Sequence, residues 1–182
     1  MQDLKNYFIT IDREYKEGDV AVLRQKFSGE NVVSAVLYST ALGVYEAELN
    51  GKKAGEQMFA PGYTYYPRRV LYQEHDVTEF LNTGGEGSKE NELVFYLGQG
   101  WYCGRFLCEN QTQIYGEKPA VSWILQLKFA DGSEKEIHSG IDVDELESPY
   151  EYAGEYDGEI YFADGRNNVI GNPVAYTGTT DF

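Results

Sequence analysis

The feature that most constrains this chain is an alternation of period two that is repeatedly closed by short glycine turns. In 44–49, Tyr45, Ala47 and Leu49 point to one side of an extended strand and Glu46 and Glu48 to the other. Asn50-Gly51 follows at once. Both residues tolerate the positive φ that a two-residue hairpin loop demands, so a return strand is expected in 52–54 and on through 57–59. In 121–129, Trp123, Leu125, Leu127 and Phe129 share a face opposite Gln126 and Lys128, and Asp131-Gly132 turns the chain into a partner at 134–139. Further strands are expected at 20–27, 34–40, 69–76 and 93–99, and another near 155–162. One short helical turn fits 77–81, with Asp76 as its cap and Glu79 replying.

About eight strands with turns at short intervals, and no sustained helical period, imply an all-β, antiparallel β-sandwich of the jelly-roll, galactose-binding-like type. The expected organisation is a lead-in at 1–19, the sandwich at 20–166 and a weakly structured tail at 167–182. Loops gather at 60–68, 82–91 and 100–119. The last of these is long and aromatic, the kind of loop that often carries function.

The formal net charge of -15 restricts partners. A field of that sign repels phosphate backbones and anionic lipid, and no basic stripe offsets it, so neither nucleic acid nor membrane is an expected partner. It fits neutral ligands, cations or a protein surface, or simply solubility. Residues 1–10 lack an apolar signal core, so the expected location is the cytoplasm.

Most catalytic motifs are absent, among them the Walker A sequence and the G-x-S-x-G elbow. Gly98-Gln99-Gly100 lacks the third fingerprint glycine and is not expected to open a helix. His75 and His138 are lone histidines, with no H-E-x-x-H pattern and no third ligand. Asp142-Val143-Asp144 begins like a calcium loop, but Leu146 and Glu147 stand where an oxygen ligand and a glycine are needed. Asn110-Gln111-Thr112 matches a glycosylation sequon. Cys103 and Cys108 fit neither a redox pair nor a zinc knuckle, which leaves two free thiols or a strained local disulfide. No catalytic residue, metal or cofactor is assigned.

Two sets of residues remain. Glu155, Asp157 and Glu159 alternate, so on one strand they share a face with neighbours about 7 Å apart. That lies between the carboxylate separations of the two glycosidase mechanisms, but a working pair needs one buried member, and a solvated or interfacial face is the plainer reading. The second set comprises Tyr63, Tyr65, Tyr66, Trp101 and Tyr102, with Arg105 beside them. Sugars stack on such rings and bond to such polar groups, which makes these six the candidate carbohydrate-binding residues. The same rings also suit capping of an open sandwich end or packing against another domain.

In this order, the segments Leu23–Phe27, Ala35-Val36-Leu37-Tyr38-Ser39-Thr40-Ala41-Leu42-Gly43-Val44-Tyr45-Glu46 and Leu49-Asn50-Gly51 resemble the N-terminal β-sandwich domain of bacterial α-L-rhamnosidases, glycoside hydrolase family 78. The resemblance continues through Ala60-Pro61-Gly62-Tyr63-Thr64, Val70-Leu71-Tyr72-Gln73, Asp76-Val77-Thr78 and Gly98-Gln99-Gly100-Trp101-Tyr102-Cys103-Gly104-Arg105. It ends with Tyr115-Gly116-Glu117-Lys118-Pro119-Ala120 and Tyr156-Asp157-Gly158-Glu159, covering about residues 20–163. The resemblance implies a non-catalytic accessory domain of an inverting glycosidase that removes terminal α-L-rhamnose from glycosides. Its carboxylates would lie in a separate downstream (α/α)6 barrel, the implied partner, and rhamnosyl glycans are a further implied partner. The pattern departs where Ile160-Tyr161-Phe162-Ala163-Asp164 replaces the family's usual arginine continuation, which places an ion pair from Asp157 in question. Leu42-Gly43 also occupy the place where calcium-assisted sugar binders carry acidic and amide residues.

Overall fold

A computed structural model describes residues 3–83, 89–106 and 111–178. Cys108, Asn110 of the sequon and the middle of the 82–91 loop lie outside the described residues. The strands are β1 (Ile9–Thr10), β2 (Ala21–Ser28), β3 (Val32–Leu42), β4 (Val44–Leu49), β5 (Lys52–Lys53), β6 (Gln73–Asp76) and β7 (Glu90–Gly98). After a one-turn helix α1 (Gly100–Cys103) come β8 (Ala120–Phe129), β9 (Glu134–His138), β10 (Asp144–Leu146), β11 (Tyr150–Gly154), β12 (Gly158–Tyr161), β13 (Val169–Gly171) and β14 (Val174–Ala175).

Two six-stranded antiparallel sheets form the sandwich. The first runs β14-β1-β8-β3-β6, with β9 also paired to β8, and the second runs β13-β10-β2-β7-β4-β5. From β2 to β8 the chain alternates between the sheets, apart from the short β5 return, which is the jelly-roll pattern the alternation implies. The pairing places like with like. Leu37 stands opposite Leu125 in the first sheet, and Leu23 and Ala47 flank Phe95 in the second.

Every second residue of the long strands enters the core. Ala35, Leu37 and Ala41 from β3, and Val121, Trp123, Leu125 and Leu127 from β8, meet Tyr45, Ala47 and Leu49 from β4 and Leu93, Phe95 and Leu97 from β7. Trp123 and Phe95 stack at 4.5 Å between centroids, with 11° between planes, and join the two sheets. The Trp123 Nε1–H donates to Gln25 Oε1 at 2.9 Å, so the indole is buried without an unpaired donor. Burying each such large apolar side chain contributes about 1.5–3 kcal/mol.

The turns explain where strands begin and end. Asn50 (φ 54) and Gly51 (φ 73) make the expected tight hairpin, and β5 pairs through Glu48–Lys53 and Leu49–Lys52. The return does not extend through 57–59, because Phe59 has φ 54 and begins a turn closed by the Gly62 N–H to Phe59 O bond at 2.8 Å. The expected strand at 69–76 shortens to β6. The N–H groups of Arg68 and Arg69 are still bonded to Tyr65 O, so the chain reaches the edge of β3 only at Gln73. The helical turn at 77–81 is a 3-10 turn, Thr78–Phe80, whose first N–H bonds to Asp76 Oδ1 at 2.9 Å.

Other expectations change. Gly98-Gln99-Gly100 does open a helix, the single turn α1. Gly100 sits at φ 50, and a Cβ there would stand 2.8 Å from the Gly43 carbonyl carbon, so the two glycines let the β3–β4 crossover touch the end of β7. The sections set apart as lead-in and tail both join the sheets. β1 pairs with β8 and β14, and β13 pairs with β10. These strands are two or three residues long, too short to show a period in sequence.

Candidate functional site

One end of the sandwich is closed by aromatic rings from segments far apart in sequence. The loop after β5 brings Tyr63, Tyr65 and Tyr66; α1 brings Trp101 and Tyr102; the long connection to β8 brings Phe106 and Tyr115. Tyr63 is the hub. Its ring lies 5.5 Å from Phe106, 6.1 Å from Trp101 and 6.2 Å from Tyr66, the last two edge to face. Its hydroxyl shares a hydrogen bond with that of Tyr115 at 3.2 Å, which, with partial burial, pushes the Tyr115 phenol up to about 12.

The structure divides the six sequence candidates. Tyr66 and Tyr102 are only 3% exposed and pack with Phe8, Leu42, Cys103 and Ala120 as a second, smaller core. Tyr102 pairs its hydroxyl with Tyr176 at 2.6 Å. Tyr63 and Tyr65 remain open, 46% and 57% exposed, and Trp101 is half-buried. Arg105 is held by an ion pair to Asp157 at 3.0 Å and lies 4.8 Å over the ring of Tyr156. The set is therefore part core cap and part open surface.

The acidic triplet does not share a face. Residues 155–157 form the turn between β11 and β12, so the alternation is interrupted before Glu159 begins to count. Asp157 points to Arg105 and also accepts from the Tyr152 hydroxyl at 3.1 Å. The residues just after Asp157 supply no arginine, and Asp157 pairs instead with Arg105 of the loop after α1. Glu155 turns inward. Burial pushes its carboxyl above the ordinary range, while its own N–H, that of Gly100 and the Arg105 charge oppose the shift. Its Oε2 is buried with no hydrogen-bond partner, as is the Tyr66 hydroxyl. Burial, with Glu155 nearby, pushes the Cys103 thiol up, so it is an inert core sulfur, and its S–H points to Gln99 O. His138 stacks on Tyr7 at 4.1 Å and lies 3.0 Å from Glu136.

Next to the aromatic end, the β11–β12 hairpin folds over the outer face of the second sheet. It is tied down by Ala153 N–H to Gly18 O at 2.8 Å, by Trp101 Nε1–H to the Tyr156 hydroxyl at 3.3 Å, and by Arg105. Between hairpin and sheet runs a cleft of about 430 Å³, floored by Tyr96 and Val44 and walled by Phe59, Tyr150 and Tyr161. Glu46, Glu48 and Glu159 also line it. Sequence reasoning registered Glu46 and Glu48 only as a wet strand face. The available signal was a Tyr at every second position in 150–152, a pattern that suits a half-buried strand pairing above that face.

Comparisons with known proteins agree on this domain. Residues 30–172 match the family described as the α-L-rhamnosidase N-terminal domain. An α-L-rhamnosidase of Streptomyces avermitilis is 40% identical over 142 residues, covering 78% of this chain and 13% of that protein. One from Formosa agariphila is 32% identical over 168 residues, covering 83% of this chain and 17% of that protein. The crystal structure of the α-L-rhamnosidase from Aspergillus terreus superposes with a TM-score of 0.82 at 29% identity, covering 95% of this chain and 21% of that one. The chain therefore spans less than one fifth of the length of the curated relatives it matches.

Proposed function

The chain belongs to the α-L-rhamnosidase N-terminal domain family, and from that membership we propose that it serves an α-L-rhamnosidase as a non-catalytic accessory domain. The enzyme it serves would release terminal α-L-rhamnose from glycosides with inversion, through carboxylates in a catalytic domain of the same polypeptide. The observation that carries this reading is the confinement of the similarity to 13% and 17% of two long relatives. The aromatic end supports a packing role. Tyr63 and Tyr65 stand open beside rings already fixed by one another, so burying them against a neighbouring domain orders little that is not ordered already.

The purified chain is expected to show no hydrolysis of p-nitrophenyl α-L-rhamnoside across pH 4–8. Turnover that disappeared in Glu155→Gln would overturn the non-catalytic reading. A second reading, a carbohydrate-binding module working through Tyr63, Tyr65, Trp101 and Arg105, with Tyr66 and Tyr102 as the packed support beneath them, draws support from the open rings of Tyr63 and Tyr65. It requires the half-buried Trp101 to change its fluorescence when L-rhamnose or a rhamnosyl glycoside is added.

A further inference from the structure

We propose that the cleft between the β11–β12 hairpin and the outer face of the second sheet is a binding site for a neutral saccharide, distinct from the aromatic end of the sandwich. The argument begins with shape. At about 430 Å³ the cleft falls in the range of small-ligand sites, roughly 300–1,000 Å³. Its walls come from four separate stretches of chain: the loop carrying Phe59, the sheet strands β4 and β7, and the hairpin. Such a concavity is fixed by tertiary packing and exists before a ligand arrives.

The lining chemistry selects the ligand. Phe59 and Tyr161 present open ring surface, 47% and 54% exposed, on which a pyranose C–H face can stack. Tyr150 and Tyr161 meet edge to face at 5.1 Å, and Tyr150 meets Tyr96 in the same way at 6.3 Å, so the rings hold one another in place. The phenols of Tyr96 and Tyr150 are pushed up, first by burial and then by the surrounding carboxylates, the former to about 12. They remain neutral hydroxyl donors throughout the physiological range. Glu46, Glu48 and Glu159 supply acceptors beside them. A sugar hydroxyl both donates and accepts, and a lining of phenol donors among carboxylate acceptors answers both needs.

Electrostatics removes the alternatives. Three carboxylates in a protein of net charge -15 exclude uronates, phosphates and sulfates. A cation would use the carboxylates alone, and Glu46 is already paired with Lys53 at 2.7 Å. Burial and the neighbouring Glu46 raise the Glu48 carboxyl, against the pull of Lys53, and its oxygens face the cleft as acceptors for a hydroxyl.

The test is a titration of the 15N-labelled chain, followed by amide shifts, with three probes: rutinose and cellobiose as neutral disaccharides and digalacturonate as the anionic one. At least one neutral probe is expected to bind, with shifts confined to residues 44–48, 58–59, 96–98 and 149–161. Tyr161→Ala should weaken that binding about tenfold, the equivalent of one lost stacking contact. Glu159→Gln is the second cleft variant and should also weaken it. Tyr65→Ala, at the aromatic end, should leave it unchanged. No shift with either neutral probe at about 20 mM, equal binding of digalacturonate, or binding abolished by Tyr65→Ala and not by Tyr161→Ala would each overturn the proposal. A tetralysine peptide that binds the cleft where the sugars fail would overturn it as well. The accessory role stands or falls separately, on the hydrolysis assay.

Discussion

Glu155 and Tyr66 carry the two buried polar atoms that lack a partner among the described residues, and both sit beneath the aromatic end. Neither can be recognised in sequence as unusual. Glu155 follows Gly154 in what reads as a strand and is in fact the first residue of a turn, directed at the N–H of Gly100. Its carboxyl is raised in the folded chain, chiefly by burial, so the folded state holds that proton more tightly than the unfolded state does. Its contribution to stability is fully present below the unfolded carboxylate range and is lost as pH rises through the folded value. Glu155→Gln should therefore leave the melting temperature near pH 4 almost unchanged and raise it at pH 7–8, flattening the profile. An identical pH profile in wild type and variant would refute this. Tyr66 is simpler. Its hydroxyl is buried and unpaired, so Tyr66→Phe removes a desolvated group while keeping the ring contacts with Tyr102 and Tyr115. The variant should be as stable as wild type or more so, by up to about 1 kcal/mol in denaturant unfolding. A loss of that size would mean the hydroxyl has a partner.

The β4–β5 hairpin shows how much of an element a dipeptide can announce. Asn50-Gly51 marks the turn by its tolerance of positive φ, and the structure places both residues there. The sequence pattern does not reveal what the Asn50 side chain does. Its amide donates to Phe80 O at 2.7 Å and to Asn91 Oδ1 at 2.8 Å, and its oxygen accepts from the Glu92 N–H at 3.0 Å. Asn91 continues the chain of bonds to Asn82, so the turn of one hairpin anchors the start of β7 and the 3-10 turn. Asn50→Ala should cost about 2–3 kcal/mol, from lost hydrogen bonds and a Cβ at positive φ without a compensating side chain. Asn50→Gly, which relieves only the backbone, should recover about 1 kcal/mol of that. Equal losses in the two variants would show that the backbone plays no part. The β11–β12 hairpin was the least legible element, because its turn holds Glu155, Tyr156 and Asp157 in place of a glycine pair, and Gly158 comes only at the start of the return strand.

Across the whole molecule, the two six-stranded sheets take strands from the segments before β2 and after β12. β14 lies beside β1 on one sheet, and β13 covers the edge of β10 on the other. The tail is thus a pair of edge strands that the rest of the sandwich uses to satisfy backbone groups. A chain shortened to end at Arg166 should lose about 2–3 kcal/mol and melt roughly 5–10 °C lower in thermal unfolding. An unchanged melting temperature would show that these strands add nothing to the fold.

Alternation and turn chemistry were enough to establish an all-β sandwich, its long strands and most of its core, because a strand exposes its pattern at every second residue. Net charge, which needs no coordinates, gives the expectation that anionic partners are disfavoured. The sequence also held the family resemblance, in the ordered segments from Leu23 to Glu159. Only the tertiary structure decided which of the six candidate residues lie open and which lie in the core. Only it showed that Asp157 finds an arginine fifty-two positions away, that strands of two and three residues complete the sheets, and that a hairpin roofs a cleft over Glu46 and Glu48. Each of these depends on contacts between segments distant in the chain, and local period and propensity contain no record of where such segments meet.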